Sequence, residues 1–288
     1  MIVVFGSTGN IGSAVVKELK AKGAAFKAAA RDPEAAKRKL GADIEVVKAD
    51  LSDRASVDAA IAGADKVFLV CGHSPALADL EANALAAAKA SGVKFFLKVS
   101  GSTKGITPDA ESVVGRAHYA GEQAIKASGL AYAIIQPNLF MQTLLSQAPM
   151  IANDSKMALP LSPDAPLTLI DTRDVGAAAA EILTSDGHAG KTYYLAGAAS
   201  SVRAFAAEVG KQLGHEIAVM TPSLEAAGKM MSERGMPDWL VNHQLAMMKL
   251  GESGGFGIAS ETFLTLTGKK PRDVATFVSD HIGAFRAK

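Results

Sequence analysis

Cysteine is almost missing from this 288-residue chain, in which Cys71 stands alone. A lone thiol excludes an internal disulfide framework and a cysteine cluster for zinc or iron-sulfur, and it fits a reducing, cytoplasmic compartment. An excess of one charge is missing too. The 30 Lys and Arg face 29 Asp and Glu without long runs of either sign. No electrostatic footprint for nucleic acid or anionic lipid is therefore visible. No apolar stretch is long enough to cross a bilayer, and the opening Met1 to Phe5 is too short for a signal peptide and has no basic leader. Aromatic residues are few, at 6 %. Low-complexity tracts and fixed-period repeats are absent. What remains predicts one large domain, or one domain with a smaller lobe, acting on a small molecule as a monomer or homodimer and without a metal.

What is present is alternation. Ile2 to Phe5, Ala25 to Ala30, Ile44 to Lys48, Lys66 to Val70 and Phe95 to Val99 read as short buried strands. Ser13 to Ala21, Ala35 to Leu40, Arg54 to Ile61 and Ala76 to Ala90 read as the helices between them, each followed by a glycine: Gly23, Gly41, Gly63 and Gly92. A helix over Ala117 to Ser128 and a strand over Tyr132 to Gln136 continue the series. This order predicts an α/β fold, a Rossmann-type doubly wound parallel sheet with right-handed crossovers and its ligand crevice beyond the carboxyl ends of the strands. Regularity declines afterwards. Leu159 to Pro166 is loop-like, Arg173 to Thr184 and Val202 to Leu213 look helical, and Lys191 to Leu195 and Glu216 to Thr221 look like short strands. The expected division is a dinucleotide-binding domain over 1–150, with the chain returning near 167–197, and a smaller C-terminal substrate lobe over 151–288.

Gly6-Ser7-Thr8-Gly9-Asn10-Ile11-Gly12 follows the first strand and opens a helix. In that context the glycines let the backbone turn sharply and approach a pyrophosphate, while free amides and the helix dipole stabilise its charge. Arg31-Asp32 follows the second strand, where such a fold selects its cofactor. A guanidinium suits the 2′-phosphate of NADP(H), the preferred cofactor, whereas Asp32 would suit the ribose hydroxyl of NAD(H). Asp50-Leu51, after the third strand, is placed to meet the adenine, or Asp50 is only a helix cap.

The spacing Gly6-x-x-Gly9-x-x-Gly12 resembles the NmrA-like group of atypical short-chain dehydrogenase/reductases. The resemblance continues through Arg31-Asp32-Pro33, Val99-Ser100-Gly101, His118-x-x-x-Glu122 and Pro137-Asn138-Leu139-Phe140-Met141. Later matches are Asp171-Thr172-Arg173-Asp174-Val175, Gly190-Lys191-Thr192-Tyr193 and Leu266 to Arg272. It implies NADPH-dependent hydride transfer to a quinone-like, dye or other aromatic acceptor. The alternative it leaves open is a dinucleotide-binding redox sensor without turnover. One departure matters: the Tyr-x-x-x-Lys pair of the alcohol-oxidising relatives is absent, since Tyr119 is followed four residues later by Gln123. Ketone reduction, which needs strong acid help, is thereby disfavoured against conjugated acceptors. His118 stands where relatives keep a lysine or histidine and would contact the nicotinamide ribose.

Other candidates come from position at strand ends. His73, in Cys71-Gly72-His73-Ser74, lies at the cofactor edge and is either a weak acid or an exposed loop histidine. Tyr119 could donate a proton, although helix geometry turns it about 100° from His118. Ser100, Gly101 and Ser102 should line the crevice near the nicotinamide. Pro137, Asn138, Phe140 and Met141 would wall cofactor from acceptor, or belong to the core. Trp239, within a stretch containing Met230, Met231, Met236, Met247 and Met248, would close over an aromatic ligand or pack as core.

Overall fold

The protein is described by a computed structural model covering residues 1–287. Its first part alternates as the sequence pattern requires: β1 (Ile2–Phe5), α1 (Asn10–Ala21), β2 (Phe26–Ala30), α2 (Pro33–Leu40), β3 (Val46–Lys48), α3 (Arg54–Ile61), β4 (Lys66–Leu69), α4 (Leu77–Ala90), β5 (Phe95–Val99), α5 (Val113–Lys126) and β6 (Tyr132–Pro137). There follow α6 (Ala148–Asp154), β7 (Lys156–Ala158), β8 (Leu167–Leu169), α7 (Thr172–Thr184), β9 (Lys191–Leu195), β10 (Ala198–Ser200), α8 (Val202–Leu213), β11 (Ala218–Met220), α9 (Leu224–Glu233), α10 (Asp238–Glu252), α11 (Thr262–Thr267) and α12 (Val274–His281).

Seven strands form one sheet in the order β3-β2-β1-β4-β5-β6-β9, every neighbouring pair parallel. β1 is buried along its whole length and β5 over four of five residues. Such continuous burial is what helices on both faces of a parallel sheet require. One face packs Val4, Phe68, Leu97 and Ile135 against α1 and α7; the other packs Val3, Val67 and Phe96 against α3 and α4. Fully burying a side chain such as Phe68 or Phe96 contributes about 1.5–3 kcal/mol.

A separate apolar cluster, including Met141, Met157, Leu169, Phe205, Phe277 and Phe285, holds the C-terminal elements together. Around it β8 pairs antiparallel with β10, and β7 pairs parallel with β11. β9 leaves this region and closes the edge of the main sheet beside β6.

Helix starts differ from the pattern at two functional positions. α1 begins at Asn10, three residues before the apolar periodicity at Ser13, so Gly12 lies in its first turn. α5 begins at Val113 because Ser112 caps it, its Oγ accepting from the amides of Val114 and Gly115. Among the described residues no helix is long and apolar enough to cross a membrane.

Candidate functional site

Because β1, β2, β4 and β5 are parallel, the loops after them open on one edge of the sheet. The first is shaped by close approach. Gly6 has φ +70°, and a Cβ there would lie 2.2 Å from the Val70 carbonyl oxygen; a Cβ on Gly12 would lie 2.0 Å from the Gly6 carbonyl oxygen. Only glycine fits at either place. No side chain caps α1, whose N-cap is Gly9, so its first amides have no side-chain acceptor. Such a cradle fits a pyrophosphate. Thr8 is half-buried in the loop and Asn10 is exposed, while Ile11 is buried and anchors the helix. Ser7 takes a different role from the one its motif suggests. Its hydroxyl is fully buried and donates to Ala29 O at 2.8 Å, pinning the loop to β2, so only its backbone is free for a phosphate.

After β2 the two candidate selectors separate. Asp32 caps α2, accepting from the Ala35 amide at 3.0 Å, and Arg31 stands exposed beside it. Asp50 closes its own turn by accepting from the amide and hydroxyl of Ser52, which with the nearby Arg31 hold its carboxyl below the usual range. The cap of α3 is Asp53, not Asp50. Leu51 is half-buried against the core, its carbonyl held by Asn83.

The most concentrated chemistry lies between β4, β5, α5 and α10. Lys98 is 0 % and Glu81 3 % exposed, and they form an ion pair. Lys98 Nζ also reaches Val99 O at 3.2 Å and His118 Nδ1 at 3.2 Å. His118 Nδ1 lies 3.7 Å from Glu81 Oε1. Glu81 Oε2 is buried without a hydrogen-bond partner, and a Cβ on Gly121 would come within 2.2 Å of it. Burial raises the Glu81 carboxyl, the Lys98 charge opposes that, and Glu122 adds to it.

Two further histidines join this pair. The His73 ring stands edge-on to His118 at 5.9 Å and to His243 at 4.7 Å between centroids. His243 Nδ1 is 2.7 Å from Ser112 Oγ. Burial first, then the positive or protonatable neighbours, keeps His118 well below its ordinary pKa and pushes His243 down to about 4; His73 is exposed at the surface, as one of its two readings had it, and desolvation by the surrounding chain together with Lys98 lowers it less. All three are therefore neutral at neutral pH. Cys71, just after β4, has its thiol pushed up to about 12 by burial and by Glu81, with Lys98 opposing, so it stays protonated at neutral pH. Gly72 is exposed next to it. Trp239, near the start of α10, is half-buried and packs against the small apolar cluster of Leu77, Val114 and Ala117, which Cys71 also borders. The neighbouring methionines Met230, Met231, Met247 and Met248 are half-buried, and Met247 packs against the C-terminal core cluster. Tyr119 is half-buried, and among the described residues no hydrogen bond or ring contact joins it to His73, His118 or Lys98.

At the β5 and β6 ends the expected wall divides. Ser100 Oγ is buried with no partner, and Gly101 faces the Cδ2–Nε2 edge of His118. Ser102 Oγ donates to Asn138 Oδ1 at 3.2 Å. Asn138 is no open cofactor ligand. It is 2 % exposed, and its amide donates to Thr168 O at 2.9 Å and Phe256 O at 2.9 Å, clamping β6 to the C-terminal elements. Met141 is 0 % exposed inside the C-terminal cluster, so it lines no acceptor site; burying its flexible apolar chain there is the stronger driving force. Phe140 packs half-buried on the sheet core, and Pro137 is buried at the end of β6.

A last network braces the loop from behind. A Cβ on Gly176 would meet Ala14 at 2.5 Å, so α7 lies hard against α1. Asp171 caps α7 and pairs with Arg173, which also binds Asp280 at 2.6 Å. Asp174, buried, accepts from the Arg272 amide at 2.8 Å and pairs with its guanidinium. Lys98, Glu81 and His243 were invisible as a site in the sequence, although a lone lysine inside the apolar run Phe95 to Val99 was a signal, because a buried cation needs a partner.

The chain matches the NmrA-like family over residues 1–257. It belongs to that family. It is 33 % identical over its full length, and the relative's, to the NAD(P)H azoreductase of Xenophilus azovorans. It is also 33 % identical to the (4-alkanoyl-5-oxo-2,5-dihydrofuran-3-yl)methyl phosphate reductase of Streptomyces griseus, over 99 % of both chains. Among solved structures, the Escherichia coli NADPH-dependent quinone oxidoreductase in complex with NADPH superposes with TM-score 0.86 at 26 % identity, over 98 % of this chain and 99 % of that one. In this NmrA-like protein Arg173 and Asp174 of the family-like segment tie α7 to the C-terminal region, through Asp280 and Arg272.

Proposed function

We propose that the protein is an NADPH-dependent reductase of quinone-like, azo or other conjugated acceptors, with NADH as the weaker donor. The observation that carries this reading is the uncapped glycine cradle with the exposed Arg31, at the same sheet edge as His118 beside Gly101. The relatives named azoreductase and quinone oxidoreductase support it.

In this reading the amides of Gly9 to Gly12 hold the pyrophosphate, and Arg31 reaches the 2′-phosphate while Asp32 is committed to its cap. The bound nicotinamide supplies the hydride. His118 donates a hydrogen bond to the acceptor oxygen or nitrogen, Ser100 has a free buried hydroxyl for the cofactor side, and Trp239 excludes water. His73 stands ready to exchange protons with solvent.

The test is NADPH and NADH oxidation, followed by absorbance, against quinones, azo dyes, enones and a triphenylmethane dye, with cofactor affinity measured in parallel. Turnover with NADPH favoured is the expected result. Tight binding without turnover would replace the reductase by a dinucleotide sensor, and no binding would remove both.

A further inference from the structure

We propose that the buried Lys98–Glu81 pair holds His118 as its Nε2–H tautomer and lends it a proton at Nδ1 while the Nε2 proton leaves for the acceptor. The proposal rests on the reductase reading above. The missing Tyr-x-x-x-Lys pair is replaced by a lysine arriving from a strand rather than from the helix of the tyrosine.

The geometry fixes the direction of each hydrogen bond. An ammonium carries three donors and no acceptor. Around Lys98 Nζ stand three acceptors: Glu81 Oε1, Val99 O at 3.2 Å and His118 Nδ1 at 3.2 Å. His118 must therefore accept at Nδ1 and carry its hydrogen on Nε2. His118 is 4 % exposed, and Gly101 lies against its Nε2 edge, where a Cβ would stand 3.2 Å from Cδ2 and 3.8 Å from Nε2; of all residues glycine crowds that nitrogen least. Glu81 is held by the pair but keeps one oxygen free of any partner, a costly arrangement for a buried group that only stabilises the fold.

In the step, the acceptor gains a hydride from the reduced nicotinamide dinucleotide and a proton from His118. The His118 Nε2–H bond breaks and an O–H or N–H bond forms on the acceptor. A Lys98 proton moves to His118 Nδ1, leaving a neutral amine beside Glu81. One proton from solvent, taken up through His73 at Nε2, then returns the Nδ1 proton to Lys98 and restores the starting state. Charge and atoms balance, and the only reductant is the dinucleotide. In this scheme His118 is the catalytic donor, and Lys98 and Glu81 are positioning residues.

Acceptor chemistry separates this relay from a structural role. A quinone or an azo dye needs a hydride and a proton, whereas a triphenylmethane cation is discharged by hydride alone. In K98M/E81Q, which leaves no buried charge unpaired, the ratio of quinone to dye rates should fall about a hundredfold. H118Q reads the same ratio should the double variant fail to fold. Nitrogen-15 NMR of the histidines, without cofactor, should show His118 as the Nε2–H tautomer in the native protein and a mixture in K98M/E81Q. An unchanged ratio, or a native His118 protonated on Nδ1, overturns the relay. If the native protein binds NADPH yet reduces neither acceptor, the reductase reading fails and the relay with it; reduction of both at an unchanged ratio sinks the relay alone.

Discussion

His243 should make the protein acid-sensitive in a way that a single substitution removes. The Ser112 hydroxyl spends its lone pairs on the amides of Val114 and Gly115, at 3.1 and 3.2 Å, so its one hydrogen must go to His243 Nδ1 at 2.7 Å. A proton on Nδ1 would break that bond and charge a ring that is 7 % exposed and packed against His73. Burial, with His73 second, pushes this histidine from 6.5 down to about 4. The unfolded chain therefore takes the proton first. The stabilisation is full above pH 6.5 and is lost as pH falls through the folded value near 4. The span corresponds to about 3 kcal/mol, of which about 2 kcal/mol is gone by about pH 5. Urea unfolding of the native protein and of H243Q, at about pH 7.5 and about pH 5, measures it. With a slope of roughly 2–3 kcal/mol per molar urea, the native midpoint should drop by about 0.7–1 M more than that of H243Q. Parallel losses in the two proteins would refute the reasoning.

Arg31→Ala should weaken NADPH about ten- to a hundredfold and leave NADH nearly alone, as read by titration of each cofactor; equal weakening would defeat the 2′-phosphate role. Gly12→Ala places a methyl 2.0 Å from the Gly6 carbonyl oxygen and should cost about 1–3 kcal/mol in urea unfolding together with most of the dinucleotide affinity. Arg272→Ala leaves the carboxyl of Asp174, whose side chain is 2 % exposed, without its cation, and should cost about 3 kcal/mol; a midpoint equal to the native one would show the pair to be idle.

The sheet and most helices were legible because each strand is a short apolar run and each helix repeats its apolar face, signals carried by neighbours in sequence. The three-residue strands Lys156–Ala158, Leu167–Leu169 and Ala198–Ser200 carry no such signal, since their pairing is decided by partners elsewhere in the chain. The same limit hid half of the site. Nothing near Glu81 in sequence announces Lys98, and His243 meets Ser112 across 131 residues. Short polar residues compete locally for the same jobs: of the two readings of Asp50 the cap falls to Asp53, and Asn138 spends its amide on Thr168 and Phe256.

The brace behind the glycine loop also sets a timetable. Arg272 and Asp280 secure the start of α7 from 98 and 107 positions downstream, and α7 is the support on which α1 rests. During synthesis from the N-terminus, the phosphate-binding turn leaves the ribosome among the first residues, while its support arrives late. Until then the turn stands without the ties that fix its support. The start of α7, and through it the seat of α1, is thus completed only when the α12 segment has been made, so the order of synthesis places the loop first and its brace last.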